Sequence, residues 1–124
     1  MTNKTVAVIG ASNERGKFGN KAVRAFSDKG YIVYPVSPRH SEIEGIKVYA
    51  SVLDIPTEVE IATLYVPAHV SVKLVSDFVK KGIKEVWINP GADSEALLAA
   101  LQKTDLKIVN TCSLLAIGAS PSDY

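Results

Sequence analysis

The residues best able to do chemistry gather in one stretch, Gly10-Ala11-Ser12-Asn13-Glu14-Arg15-Gly16-Lys17-Phe18-Gly19. Four apolar residues, Val6 to Ile9, lead into it. That run is too short for a helix and rich in β-branching, as in a strand buried on both faces of a parallel sheet. A helical pattern follows it. A strand, a glycine-rich turn and a helix N-terminus together make a seat for anions, above all phosphates. Glycine lets the backbone approach the anion, and free amides with the helix dipole supply partial positive charge. Arg15 and Lys17 add full charges beside it. The same pattern also serves as a tight strand-to-helix turn with no ligand.

Two literal phosphate motifs fit imperfectly. The dinucleotide fingerprint G-x-G-x-x-G lacks its second glycine, since Ser12 follows Gly10-Ala11 and the next glycines are Gly16 and Gly19. The Walker pattern fails as well, with five residues between Gly10 and Gly16 and Phe18 where Ser or Thr should follow Lys17. An NTPase is therefore not expected.

The chain of 124 residues suits a single domain with a continuous core. Its 47% hydrophobic and 22% charged residues describe a folded globular protein. A net charge of +1 gives no case for nucleic-acid or membrane-surface binding. No apolar stretch approaches the roughly 20 residues of a membrane span. Met1-Thr2-Asn3-Lys4 leads directly into the first strand without a signal-peptide pattern, and the lone Cys112 cannot form an internal disulfide. A cytoplasmic protein is the expectation.

The elements that must position the turn follow in order. Phe18, Ala22, Ala25 and Phe26 recur at helical spacing, with Gly30 as the stop. Tyr31 to Val36 reads as strand two, and Ser37-Pro38-Arg39-His40 ends it. Residues Ser41 to Gly45 read as loop and Lys47-Val48-Tyr49 as a short extended piece. Ser51-Val52-Leu53-Asp54 has the pattern of a cap and first turn, stopped by Pro56. Ile61 to Val66 is strand three, closed by Pro67. Val70, Leu74, Val75, Phe78 and Val79 then form a helical stripe up to Gly82. Glu85 to Asn89 is strand four, and Pro90-Gly91-Ala92 follows it. Asp93 or Ser94 caps a helix carrying Leu97, Leu98 and Leu101, and Leu106 to Asn110 is strand five.

This alternation predicts an α/β fold: a Rossmann-like three-layer sandwich around a five-stranded parallel sheet of order 3-2-1-4-5. One domain is expected over residues 1–118, with 119–124 as a flexible C-terminal tail. Ligands in such sheets lie at the carboxyl ends of the strands, near the reversal of strand order. That rule gathers five loops into one rim, from Gly10 to Gly19, Ser37 to His40, Val66 to His69, Asn89 to Ala92 and Asn110 to Ser113.

An NAD site places Asp or Glu at the end of strand two, and none stands there. Arg39 instead suits an extra phosphate, either the 2′-phosphate of NADP or the 3′-phosphate of coenzyme A. A solvated loop explains Arg39 and His40 equally well. Gly10-Ala11-Ser12 with Gly16-Lys17, then Pro35-Val36-Ser37-Pro38, Tyr65-Val66-Pro67-Ala68, Trp87-Ile88-Asn89-Pro90-Gly91-Ala92 and Cys112 together resemble the stand-alone CoA-binding domain family. That family is similar to the nucleotide-binding domain opening the α-subunit of succinyl-CoA synthetase. The resemblance runs from Thr5 to Cys112, one motif at the end of each predicted strand.

The resemblance implies a Rossmann-like fold that binds coenzyme A. On matching positions, Gly10, Ala11 and Ser12 would hold phosphate, with Lys17 as countercharge. Val66, Pro67 and Ala68 would form an apolar edge, while Asn89, Pro90 and Gly91 would border the pantetheine arm. Arg15 is added from its charge alone. The larger ligases carry a basic residue near the start of strand two; Tyr31 stands near there, which leaves Arg39, with Ser37 and Pro38, as the candidate for the 3′-phosphate. Cys112 lies on the same rim.

No catalytic set assembles from the sequence. Ser12 has no visible base, His69 opens a helix, and Asp54, Glu58 and Glu60 lack the spacing of a carboxylate pair or metal site. The expectation is a non-catalytic module for coenzyme A or acyl-CoA, which would act with a protein partner or as a homodimer. The alternative is an NADP-dependent oxidoreductase or an NAD(P)-binding sensor.

Overall fold

The computed structural model describes residues 4–124, so the lead-in read at Met1 to Asn3 falls outside the described residues. In chain order the elements are β1 (Thr5–Ile9), α1 (Phe18–Asp28), β2 (Ile32–Val36), β3 (Glu42–Ile43) and β4 (Ile46–Lys47). Then come β5 (Ile61–Leu64), α2 (Ala68–Lys81), β6 (Glu85–Ile88), α3 (Glu95–Gln102), β7 (Lys107–Asn110) and α4 (Ser113–Ala116). Short 3-10 turns lie at Val52–Asp54 and Pro121–Asp123.

The five long strands are parallel and form the expected α/β sheet with helices on both faces. Strand side chains alternate between faces, and β1 shows the result. Val6 and Val8 pack with Ala22 and Phe26 of α1 and Leu114 of α4. Ala7 and Ile9 pack on the other side with Phe78 of α2 and Leu97 and Leu101 of α3. Each large side chain buried this way contributes about 1.5–3 kcal/mol. A strand apolar on both faces is stable only between two covering layers, which the helices supply.

The strand order differs from the expectation. The observed order is β2-β1-β5-β6-β7, which counts as 2-1-3-4-5 and not 3-2-1-4-5. The strand at Ile61 lies beside β1, and the place outside β2 is taken by Tyr49 through a single parallel bridge to Val36. Tyr49 accounts for the difference: counted as a strand, it restores the order 3-2-1-4-5-6. The pairing extends no further than that one bridge.

The segment read as loop at Ser41 to Gly45 is part of an antiparallel hairpin, β3 paired with β4. Its two-residue turn has φ of 51° at Glu44 and 76° at Gly45, both in the left-handed region that two-residue hairpins use. Helix ends follow their chemistry. Ser94 Oγ accepts from the Leu97 amide at 3.1 Å to cap α3, and Gly82 ends α2 at φ 82°. The segment 119–124, read from composition as a flexible tail, lies against α1. There the Tyr124 hydroxyl donates to Asp28 at 2.8 Å and Lys21 donates to the Pro121 carbonyl at 3.3 Å.

Candidate functional site

The order of strands reverses at β1, between β2 and β5, and beside that point a cleft of about 510 Å³ opens between the start of α1 and the carboxyl ends of β5, β6 and β7. Six of the residues singled out as ligand contacts line it together: Val66, Pro67, Asn89, Pro90, Gly91 and Cys112. Phe18 and Ala92, which lie inside two of the expected rim loops but were not singled out as ligand contacts, complete the lining with Leu64 and Tyr65 of the third predicted strand. For Phe18 a signal existed. It is the first residue of α1, where an apolar side chain faces the open end of the sheet, and it stays 48% exposed. Ala68 falls outside the lining as the first residue of α2.

The glycine turn borders this cleft by close backbone packing. A Cβ on Gly10 would lie 2.7 Å from Val66 Cγ1 and 2.8 Å from the Tyr65 carbonyl oxygen, and the residue has φ 90°. A Cβ on Gly19 would lie 2.2 Å from the Gly10 carbonyl oxygen. Gly19 therefore lets the start of α1 pack onto the end of β1, the task of the third glycine in dinucleotide folds.

The turn's donors are distributed differently from the expectation. The amides of Gly10 and Ala11 both donate to the Val36 carbonyl, at 3.0 and 3.2 Å, so they serve the β1–β2 junction. The backbone N–H groups of Ser12, Asn13, Phe18 and Gly19 make no hydrogen bond among the described residues. The N-cap of α1, Lys17, supplies no side-chain cap. The Ser12 hydroxyl accepts from the Glu14 amide at 3.0 Å and shapes the turn. What remains is a row of unused amides at a helix N-terminus, an anion-attracting arrangement.

Both cations of the turn are paired. Lys17 meets Glu14 at 2.8 Å, and this contact holds the Glu14 carboxyl below its usual range. Arg15 donates through Nε and Nη2 to the two oxygens of Glu44, at 3.2 and 2.9 Å. With a further bond from Asn20, Arg15 brings the Glu44 carboxyl down to about 2. Arg39 is exposed, and its side chain makes no hydrogen bond or ion pair among the described residues. Its amide donates to the Ser37 hydroxyl at 3.3 Å, and Ser37 is buried while Pro38 is exposed.

Asn89 has a structural task at the cleft floor. Its Nδ2 donates to Thr63 Oγ1 and to the Leu64 carbonyl, both at 2.9 Å, and its Oδ1 accepts from the Ser113 amide at 2.8 Å. Thr63 and Ser113 hydroxyls lie 2.6 Å apart. The network ties the ends of β5 and β6 to the start of α4. Beside it, the Tyr65 hydroxyl is buried without a hydrogen-bond partner among the described residues, and burial pushes it up to about 12.

An open parallel sheet with an apolar cleft and a free helix N-terminus at its switch point defines a nucleotide-type α/β domain. The chain belongs to the CoA binding domain family, which matches over residues 4–118. It is 35% identical to the ADP-forming acetate–CoA ligase of Methanocaldococcus jannaschii over 115 residues, which are 93% of this chain and 16% of that protein. It is 42% identical to the α-subunit of ADP-forming acetate–CoA ligase I of Pyrococcus furiosus, covering 68% of this chain and 20% of that one. The chain thus spans about a fifth or less of these relatives' length. Among solved structures, a conserved hypothetical protein of Pyrococcus furiosus superposes with a TM-score of 0.85 at 33% identity, covering 93% of this chain and 99% of that one. Among the described residues no helix is long and apolar enough to cross a membrane.

Proposed function

We propose that this domain binds coenzyme A or an acyl-CoA, as a non-catalytic module that works beside a partner enzyme. The supporting observation is the pairing of an apolar cleft with a row of free amides at its edge. A ligand joining an apolar arm to a diphosphate uses both. The pantetheine arm enters the cleft between Val66-Pro67 and Pro90-Gly91 and ends toward Cys112. The phosphates sit on the amides of Ser12, Asn13, Phe18 and Gly19, with Lys17 and Arg15 as countercharges. Gly10 and Ala11 contribute shape, since their amides are engaged with Val36. Arg39 faces the ribose phosphate, and Ala68 extends the apolar edge into α2.

Arg39 also suits NADP, so that reading stands as the competitor. The cleft favours coenzyme A over NADP because its lining is mainly apolar, and the absence of an acid at the end of β2 opposes NAD. The test is calorimetry with coenzyme A on the unmodified domain and on Val66→Asp. The expected result is binding that a carboxylate on the cleft wall, desolvated only when the arm is bound, abolishes while the melting transition persists. Equal binding by both proteins would move the arm out of the cleft.

A further inference from the structure

A hairpin tip meets the phosphate turn through a contact that needs a reason. The Glu44 carboxylate lies among three donors: Arg15 Nε at 3.2 Å, Arg15 Nη2 at 2.9 Å and Asn20 Nδ2 at 3.0 Å. Asn20 is fully buried, and the same Nδ2 also donates to the Ser12 carbonyl at 2.9 Å. Its Oδ1 accepts from Arg24 Nε at 2.7 Å, which fixes the orientation of the amide. These donors therefore form a built anion seat fastened to the turn. The occupant is a side chain in an awkward place, because Glu44 has φ 51°, a backbone region that favours glycine or asparagine. The hairpin carrying it has strands of only two residues, so it is held weakly by its own ladder. The seat opens into a second cavity of about 420 Å³, which also receives Arg24 and Asp28.

We propose that Glu44 is a specificity-determining residue: its carboxylate occupies the seat of Arg15 and Asn20 until a ligand phosphate takes that seat over. The inference rests on the reading that the turn receives the phosphates of coenzyme A. The diphosphate of coenzyme A carries two negative charges and four non-bridging oxygens against one charge and two oxygens on the carboxylate, and the guanidinium fork matches a phosphoryl group in a bidentate fashion. Only ligands with a phosphate group can displace Glu44. Phosphate-free fragments of the same ligand leave it in place.

The experiment compares the unmodified protein with Glu44→Gln and Glu44→Gly. Glycine suits the positive φ and so keeps the hairpin if the glutamine variant folds poorly. Each protein is titrated with coenzyme A, pantetheine and inorganic pyrophosphate. Both variants should bind coenzyme A and pyrophosphate about two- to fivefold more tightly, the range for losing an exposed competing ion pair. Pantetheine affinity should stay unchanged, and adding Arg15→Gln should erase the gain. Equal or weaker pyrophosphate binding by the variants overturns the proposal, whatever coenzyme A does. Failure of every protein to bind coenzyme A would count against the functional reading alone, because a pyrophosphate gain would still place a displaceable carboxylate at the seat.

Discussion

The two sides of the glycine turn differ in how much of their capacity is free. On the cleft side, apolar surface from Phe18, Val66 and Pro90 lies open around about 510 Å³. On the hairpin side, Arg15, Asn20 and Glu44 already satisfy one another. Affinity for a ligand with an apolar arm should therefore come mainly from the cleft and the free amides. The cations contribute only the difference between a phosphate and the carboxylates they now hold. The turn is the hinge of this contrast, because its glycines bring the start of α1 close enough to serve both sides.

The strongest way to break the comparison is Gly19→Ala. The added Cβ would lie 2.2 Å from the Gly10 carbonyl oxygen, against backbone that cannot swing aside. We expect a loss of about 3 kcal/mol in denaturant unfolding and no measurable coenzyme A binding, since both sides of the turn move together. A stable, binding-competent variant would separate the turn from the site.

Asn89→Ala should come next. Removing the amide takes a partner from the Leu64 carbonyl and the Ser113 amide and leaves Thr63 only its contact with the Ser113 hydroxyl, at a cost of about 2–3 kcal/mol. Coenzyme A affinity should fall less than stability does, as urea midpoints and titrations together would reveal. A large affinity loss with intact stability would instead put the Asn89 side chain in direct contact with ligand.

Lys17→Ala has a smaller expected effect. Because Glu14 holds the lysine at 2.8 Å in an exposed setting, coenzyme A affinity should weaken by about three- to tenfold. A hundredfold loss would mean that the charged side dominates.

The subtlest sharpening is by pH. Glu44 lies at about 2 in the folded protein against an ordinary 4.5. A lowered carboxylate contributes stability above its unfolded value, and that contribution is lost as pH falls from 4.5 toward 2. The urea midpoint of the unmodified protein should therefore fall more steeply over that window than that of Glu44→Gln. Parallel curves would show that the Arg15–Glu44 pair adds nothing to folding.

Much of this was legible in the residues themselves. The run Val6 to Ile9 announced a strand buried on both faces, and the motif at each strand end pointed to one rim and one family. Strand order was not legible, because the short extended piece at Lys47 to Tyr49 gives no sign that Tyr49 takes the outer position beside β2 through a single bridge. The hairpin escaped because two-residue strands carry no alternation, although Glu44-Gly45 between Ile43 and Ile46 was a usable turn signal. The engagement of the Gly10 and Ala11 amides with Val36, and of Arg15 with Glu44, joins residues far apart in the chain. No local spacing encodes such pairings, so the charge of Arg15 was legible in sequence but its partner was not.

The central claim is that the open cleft and the free amides are matched to coenzyme A. Parallel calorimetric titration of the unmodified domain with coenzyme A, NADP and NAD tests it most directly. The account predicts saturable binding of coenzyme A, clearly weaker binding of NADP and none of NAD. Binding of NADP as tight as that of coenzyme A, or no binding of coenzyme A at all, would contradict it.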